Sequence, residues 1–213
     1  MVYLPPAFTE SRDAVLVAHI ERHDFGLLVT HGAGGLVASQ IPFLVVRQDG
    51  ELLLQAHIAR ANPQAADLAA RFADPRESLA IFPGPHAYIS PSWYLTHPAV
   101  PTWNYAAVHA YGTARAITDP EWLRDLVARL SERHEGREVA PWRMQDLPEP
   151  FTQSMLAGII GIELAVRRLE GKFKLSQNRP AVDRPRVIAA LEQRPDSDSR
   201  AVAALMRERE PAE

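Results

Sequence analysis

The chain has 213 residues, 46% of them hydrophobic, 23% charged and 8% aromatic, a balance that suits a globular protein with one large or two small cores. A formal net charge of −3 argues against a general nucleic-acid binder, which carries a basic surplus. The absence of cysteine excludes disulfides, thiolate metal sites and thiol catalysis, and no apolar run reaches the roughly 18 residues that a membrane span requires.

The opening segment MVYLPPAFTESRD lacks the basic-then-apolar layout of a signal peptide, so the chain reads as soluble and cytoplasmic. SRDAVLVAHIERHD has helical spacing, with Ser11 or Asp13 as a cap. FGLLVT, the turn HGAGG, LVASQIPFLVV, the turn RQDG and ELLLQAH predict three short antiparallel strands, Asp49-Gly50 being a tight hairpin signal. A helix is expected from Pro63 to about Asp74-Pro75. SLAIFPG and HAYIS read as a fourth and a fifth strand turned by Pro83-Gly84-Pro85.

A long aromatic loop, PSWYLTHPAVPTWNY, then leads into AAVHAYGTARAI, which alternates as a strand. Asp119-Pro120 opens a helix that stops at Gly136. A proline-punctuated stretch and a short helix precede IIGIELAVRRLEGKFKLS, the last long strand, and the tail reads as two short helices broken at RPDSDS. Many short strands with peripheral helices predict a mainly β, α+β barrel. A doubly wound sheet is disfavoured because strands and helices do not alternate.

Three stretches carry candidate chemistry. In HIARANPQ, Asn62 is a strong N-cap, Pro63 suits the first helical position, and a helix N-terminus offers N–H groups and a positive dipole end to an anion. Arg60 can add a bidentate clamp, and His57 stands at the strand end. The alternative is an ordinary capped helix beside a solvated arginine. GPHAYISPSWY and VPTWNYAAVHAYG concentrate Trp93 and Trp103 with Ser90 and Asn104, faces and polar groups that a flat ligand would use; core packing is the alternative. GKFKLSQNR adds Lys172, Lys174, Gln177 and Arg179 after a strand, where a solvated basic turn is the plainer reading. The eight histidines lack metal-ligand spacing, so no metal site is expected, and haem is the least favoured class.

Together with MVYLPPAF, FGLLVT and QIPFLV, these stretches resemble the PaiB-type FMN-binding negative transcriptional regulator family, in family order from residue 1 to about residue 190. The resemblance implies an FMN-binding split β-barrel of the pyridoxamine-phosphate-oxidase type over 1–180, a helical extension over 181–213, and a homodimer with FMN at the subunit interface. It implies that Arg60 and Asn62 hold the FMN phosphate with His57 nearby, and that Ser39, Gln40 and Pro42 run along the flavin. It further implies that Ser90, Trp93, Trp103 and Asn104 line the ring, some from the partner subunit, and that Lys174 and Gln177 close the site. This chain departs from the family pattern at Gln40, Ala56 and Ala65, where members commonly carry His, Gly and an aromatic residue.

The resemblance also carries the regulator role. The tail 183–213 holds six basic and seven acidic residues, a poor footprint for direct DNA contact. The second reading is a flavin-dependent oxidoreductase acting on a small molecule, which needs no catalytic triad because the ring carries the chemistry.

Overall fold

The computed structural model describes residues 2–70, 76–136 and 138–209. A 3-10 turn (Pro6–Phe8) is followed in chain order by β1 (Thr9–Glu10), α1 (Asp13–Arg22), β2 (Phe25–Gly32), β3 (Gly35–Pro42), β4 (Leu44–Gln48), β5 (Glu51–Ala59), α2 (Pro63–Ala70) and β6 (Glu77–Ile89). After these come β7 (Thr102–Ile117), α3 (Pro120–Glu135), α4 (Glu149–Ala157), β8 (Ile159–Lys174), α5 (Arg184–Glu192) and α6 (Ser197–Arg207). The strands join in the order β3-β2-β6-β7-β8-β5-β4, with β1 on β8. The registered pairs are antiparallel. This is the α+β split-barrel organisation that the resemblance implies. Among the described residues no helix is long and apolar enough to cross a membrane.

Two compact units can be distinguished, the first made of Met1–His19, Phe82–His109 and Leu169–Glu213, the second of Ile20–Ile81 and Ala110–Arg168. In the second, β2 pairs with β3 and β4 with β5, and Leu28, Phe43, Leu54, Ile162 and Leu164 are fully buried. Asp119 caps α3 by accepting from the Trp122 N–H at 2.7 Å, and Leu123, Leu126 and Leu130 form its buried stripe. Under α3 lies a closed polar chain: Arg115 donates to Glu163 at 2.6 Å, Gln55 donates to Glu163 at 2.7 Å, and Arg129 donates to Gln55 at 2.8 Å. Glu163 is only 7% exposed, so this pairing is what makes a carboxylate tolerable there.

In the first unit, Phe82, Ile89, Val108, Phe173, Ile188 and Val202 are buried. Asp196 caps α6 through the Ser199 N–H at 2.7 Å. Glu10 binds Arg12 through both carboxylate oxygens, at 2.9 and 2.6 Å, and takes Arg209 at 3.3 Å, which ties the end of the tail to the N-terminal arm.

Three expectations change. LVASQIPFLVV is two strands, broken at Phe43, whose N–H turns to the Asp24 carbonyl while its ring is buried; β3 and β4 then stand at opposite ends of the strand order. Pro83-Gly84-Pro85 does not turn: β6 runs straight through it. Gly84 is there because a Cβ would collide with the His19 ring and lie 3.0 Å from the Ala106 carbonyl, a close backbone approach that only glycine permits. Finally, β7 begins at Thr102, so Trp103, Asn104 and Tyr105 are strand residues and not loop residues. The helices α1, α3, α4, α5 and α6 and the Asp49-Gly50 turn, with φ of 52° and 85°, match expectation. The expected end of α2 near Asp74-Pro75 lies outside the described residues.

Two outcomes test this packing. In β7, a Cβ on Gly112 would fall onto the Ala165 carbonyl, so Gly112→Ala should destabilise the protein by about 2 kcal/mol or more in urea unfolding. The hydrogen bond from Arg12 is the main reason that the Glu10 carboxyl is lowered from 4.5 to about 2, against the opposing effect of burial. A lowered native value stabilises the fold above pH 4.5, and that stability is lost as pH falls toward about 2. Glu10→Gln should therefore flatten the acid limb of a stability–pH profile while the wild type declines across that window.

Candidate functional site

In the second unit the corner between β5 and α2 is built mainly from side chains. The Asn62 Oδ1 accepts from the Gln64 N–H at 2.9 Å, and the Asn62 Nδ2 donates to the Ser39 Oγ at 3.0 Å, so one amide both caps α2 and holds it to β3. Gln64, fully buried, donates to Thr30 Oγ1 at 2.9 Å and to the Leu28 carbonyl at 3.3 Å, seating the helix on β2. The N-cap reading holds. The expected spare helix amides do not: Gln64 N is taken by Asn62 Oδ1, and Ala65 N by the Asn62 carbonyl.

Arg60 is exposed and turns to the C-terminal end of α4. Its Nε donates to the Ala157 carbonyl at 2.8 Å and an Nη2 N–H to the Ile159 carbonyl at 3.1 Å. A guanidinium has five N–H donors, so three are left for an oxyanion. Arg60 also lines an open groove of about 420 Å³ with Pro120, Arg124 and Glu149.

His57 pairs across strands with Gly161, whose missing Cβ would meet Trp122 and Leu123 of α3. Cross-strand partners share a face, so His57 lies on the α3 side of the sheet. Burial lowers its pKa, and its Nδ1 is buried without a hydrogen-bond partner among the described residues. On β3, Gln40 is exposed opposite Leu27, and Pro42 is half-buried opposite Phe25.

In the first unit the late and aromatic motifs meet. Trp103 is 52% exposed, with the Tyr88 ring edge-on at 6.0 Å and the His86 ring at 6.0 Å. Neighbouring Asn104 points to the opposite face of the strand, is fully buried, and donates to Ser176 Oγ at 2.9 Å while its Oδ1 has no partner among the described residues. Trp103 and Asn104 therefore do not share a surface. Ser90 caps the 3-10 turn Pro91–Trp93 through the Ser92 N–H at 3.3 Å, and Trp93 is half-buried, its carbonyl accepting from Arg186 at 3.1 Å. Gln177 folds back on its own turn, accepting from the Leu175 N–H and donating to the Phe173 carbonyl.

Lys174 donates to Thr102 Oγ1 and, at 2.8 Å, to the Trp103 carbonyl. Burial, then the charges of Lys172 and Arg179, hold it below the ordinary lysine value. Lys172 is the residue that sequence reasoning underrated. It belongs to no solvated turn: it is 9% exposed, between the rings of Tyr3 at 5.1 Å and Tyr105 at 5.7 Å. The available signal was the alternation Glu170, Lys172, Lys174 along one face of a strand that begins at Ile159.

The family model described as "Putative FMN-binding domain" matches residues 2–168. Over 98% of its length the chain is 32% identical to the "Protease synthase and sporulation protein PAI 2" of Bacillus subtilis, covering 98% of that protein. It is also 32% identical, over 98% of its length, to an uncharacterized protein of Emericella nidulans, 97% of which is covered. Among solved structures, a conserved hypothetical protein from Mycobacterium tuberculosis is similar with a TM-score of 0.58 at 18% identity, over 84% of this chain and 94% of that one. The FAD and heme binding protein from Mycobacterium smegmatis has a TM-score of 0.54 at 15% identity, over 78% and 73%. Those two likenesses speak to the fold, whereas the match over residues 2–168 speaks to the family. The chain is a member of this FMN-binding domain family, built as an α+β split barrel, and its cofactor is FMN.

Proposed function

We propose that the protein works as an FMN-binding homodimer whose flavin phosphate is held at the α2 corner by Arg60, Asn62 and Ser39. The observation that carries this reading is the Asn62–Ser39 hydrogen bond, which holds an amide and a hydroxyl together two residues after Arg60, whose guanidinium, now on the Ala157 and Ile159 carbonyls, keeps three N–H groups unused among the described residues. Those side chains fit a phosphate, and the helix end adds its dipole without supplying amides. Ser39 is thereby given a phosphate contact, with Gln40 and Pro42 following it along β3. When bound, FMN supplies hydride or electron chemistry through its ring, and the protein binds, orients and shields it. The homodimer is supported by Tyr88 and Trp103, an aromatic pair left open to solvent in the first unit.

The resemblance to PaiB-type regulators gives the dimer a role in negative control of transcription. That role is indirect in this reading, because four of the six tail arginines turn to their own chain. Arg186 donates to the Trp93 carbonyl, Arg200 to the carbonyls of Arg194 and Pro195, Arg207 pairs with Glu192 at 2.7 Å, and Arg209 pairs with Glu10. Guanidiniums engaged this way are poorly placed to neutralise DNA phosphates. The same observation favours a second reading, a flavin-dependent oxidoreductase with a small-molecule substrate.

Titration of the flavin-free protein tests the phosphate corner. Arg60→Ala should weaken FMN binding by about 1.5–3 kcal/mol, the range for hydrogen bonds to charged groups. Riboflavin, which lacks the phosphate, should bind wild type and variant alike; equal losses for both ligands would mean that Arg60 acts through α4 and not on phosphate. For the second reading, anaerobic reduced nicotinamide should bleach the bound flavin and a reoxidant should restore it. A flavin unmoved by any donor leaves the regulator reading alone.

A further inference from the structure

An ammonium on a strand face ordinarily takes up a carboxylate or carbonyl oxygens within its reach. Lys172 has neither. It is 9% exposed, it forms no hydrogen bond or ion pair among the described residues, and only the rings of Tyr3 and Tyr105 stand over its Nζ. The acid two positions back on the same strand face, Glu170, accepts from the Val2 N–H at 2.9 Å. Two positions on, Lys174 places two of its three N–H groups on Thr102 Oγ1 and the Trp103 carbonyl, which leaves one. Arg179, whose charge is felt at Lys174, lies over the Tyr94 ring at 4.2 Å and brings a third cation.

We propose that Lys172 and Lys174 form an oxyanion-binding site for a phosphate group, walled by the rings of Tyr3 and Tyr105. Residues two apart on a strand are roughly 6–7 Å apart, a gap that a multi-oxygen anion bridges by giving one oxygen to each ammonium. Ring faces stabilise a cation without consuming its N–H donors, so they hold Lys172 in place while leaving its hydrogen bonds for the ligand. The site uses no residue of the Asn62 corner, and Lys172 lies beyond residues 2–168, the span that the family model matches. The phosphate has two possible sources, a free or substrate-borne phosphate and the phosphate of FMN itself.

The test uses the full-length, flavin-free protein and inorganic phosphate, with chloride at matched ionic strength as control. Phosphate should protect Lys172 and Lys174 of the wild type from acylation, read by mass spectrometry, and should raise the melting temperature. Lys172→Met and Lys174→Met should each raise the Kd for phosphate about tenfold or more. Equal acylation of Lys172 in phosphate and chloride overturns the site, whether or not the variants fold. FMN and riboflavin titrations then separate the sources. A loss of FMN affinity of about tenfold in Lys172→Met, with riboflavin unchanged, assigns the site to the flavin phosphate. Unchanged FMN affinity with lost phosphate binding assigns it to a separate ligand. The Arg60→Ala titration reports on the other corner, so either reading can fail alone.

Discussion

A single carboxamide sets the geometry on which the flavin reading depends. Asn62 accepts the first N–H of α2, that of Gln64, and donates to Ser39, so the start of a helix, the end of β5 and the edge of β3 are fixed to one another. A cap of this type is worth about 1 kcal/mol. Its consequence here exceeds that figure, because it decides which groups remain to meet a ligand: side-chain donors and a dipole end, with the first helix amides already satisfied. Arg60, two residues before Asn62, closes the C-terminal end of α4, a position favourable for a cation, and in the proposed reading turns part of its guanidinium to the phosphate. Cofactor grip and helix seating thus share one guanidinium.

A different arrangement of charge lies in the first unit. Two ring faces return about 1–2 kcal/mol to a cation and consume none of its N–H donors. Lys172, flanked by Tyr3 and Tyr105, therefore keeps its donors open to an anion. Glu163 is the contrast: its carboxylate is bound by Arg115 and Gln55 into a chain that needs no ligand. Burial of the side chain alone does not mark a site. Donors left open beside it do.

Local patterns were enough for much of the fold. Asp119, Pro120 and the Leu123–Leu126–Leu130 stripe announce α3, and Asp49-Gly50 announces the β4–β5 hairpin, because caps and positive-φ turns act over a few residues. Features set by distant residues were not legible. Nothing near Pro83-Gly84-Pro85 reveals that His19 and the Ala106 carbonyl occupy the space a turn would use. Reading TWNY as loop placed Trp103 and Asn104 on one surface, whereas a strand starting at Thr102 sends them to opposite faces. Among the site residues, Asn62 and its cap were legible; the redirection of Arg60 to α4, the α3-side position of His57 and the burial of Lys172 depend on contacts 67 or more residues away or on the sheet as a whole. That Gln177 fastens its own turn could have been read locally, since its amide reaches back only two and four residues.

The most direct trial of the account is the crystal structure of the protein grown with FMN. The flavin phosphate is expected within hydrogen-bond distance of the Arg60 guanidinium, with Asn62 and Ser39 still joined beside it. A phosphate bound elsewhere, with Arg60 still directed wholly to the Ala157 and Ile159 carbonyls, would contradict it.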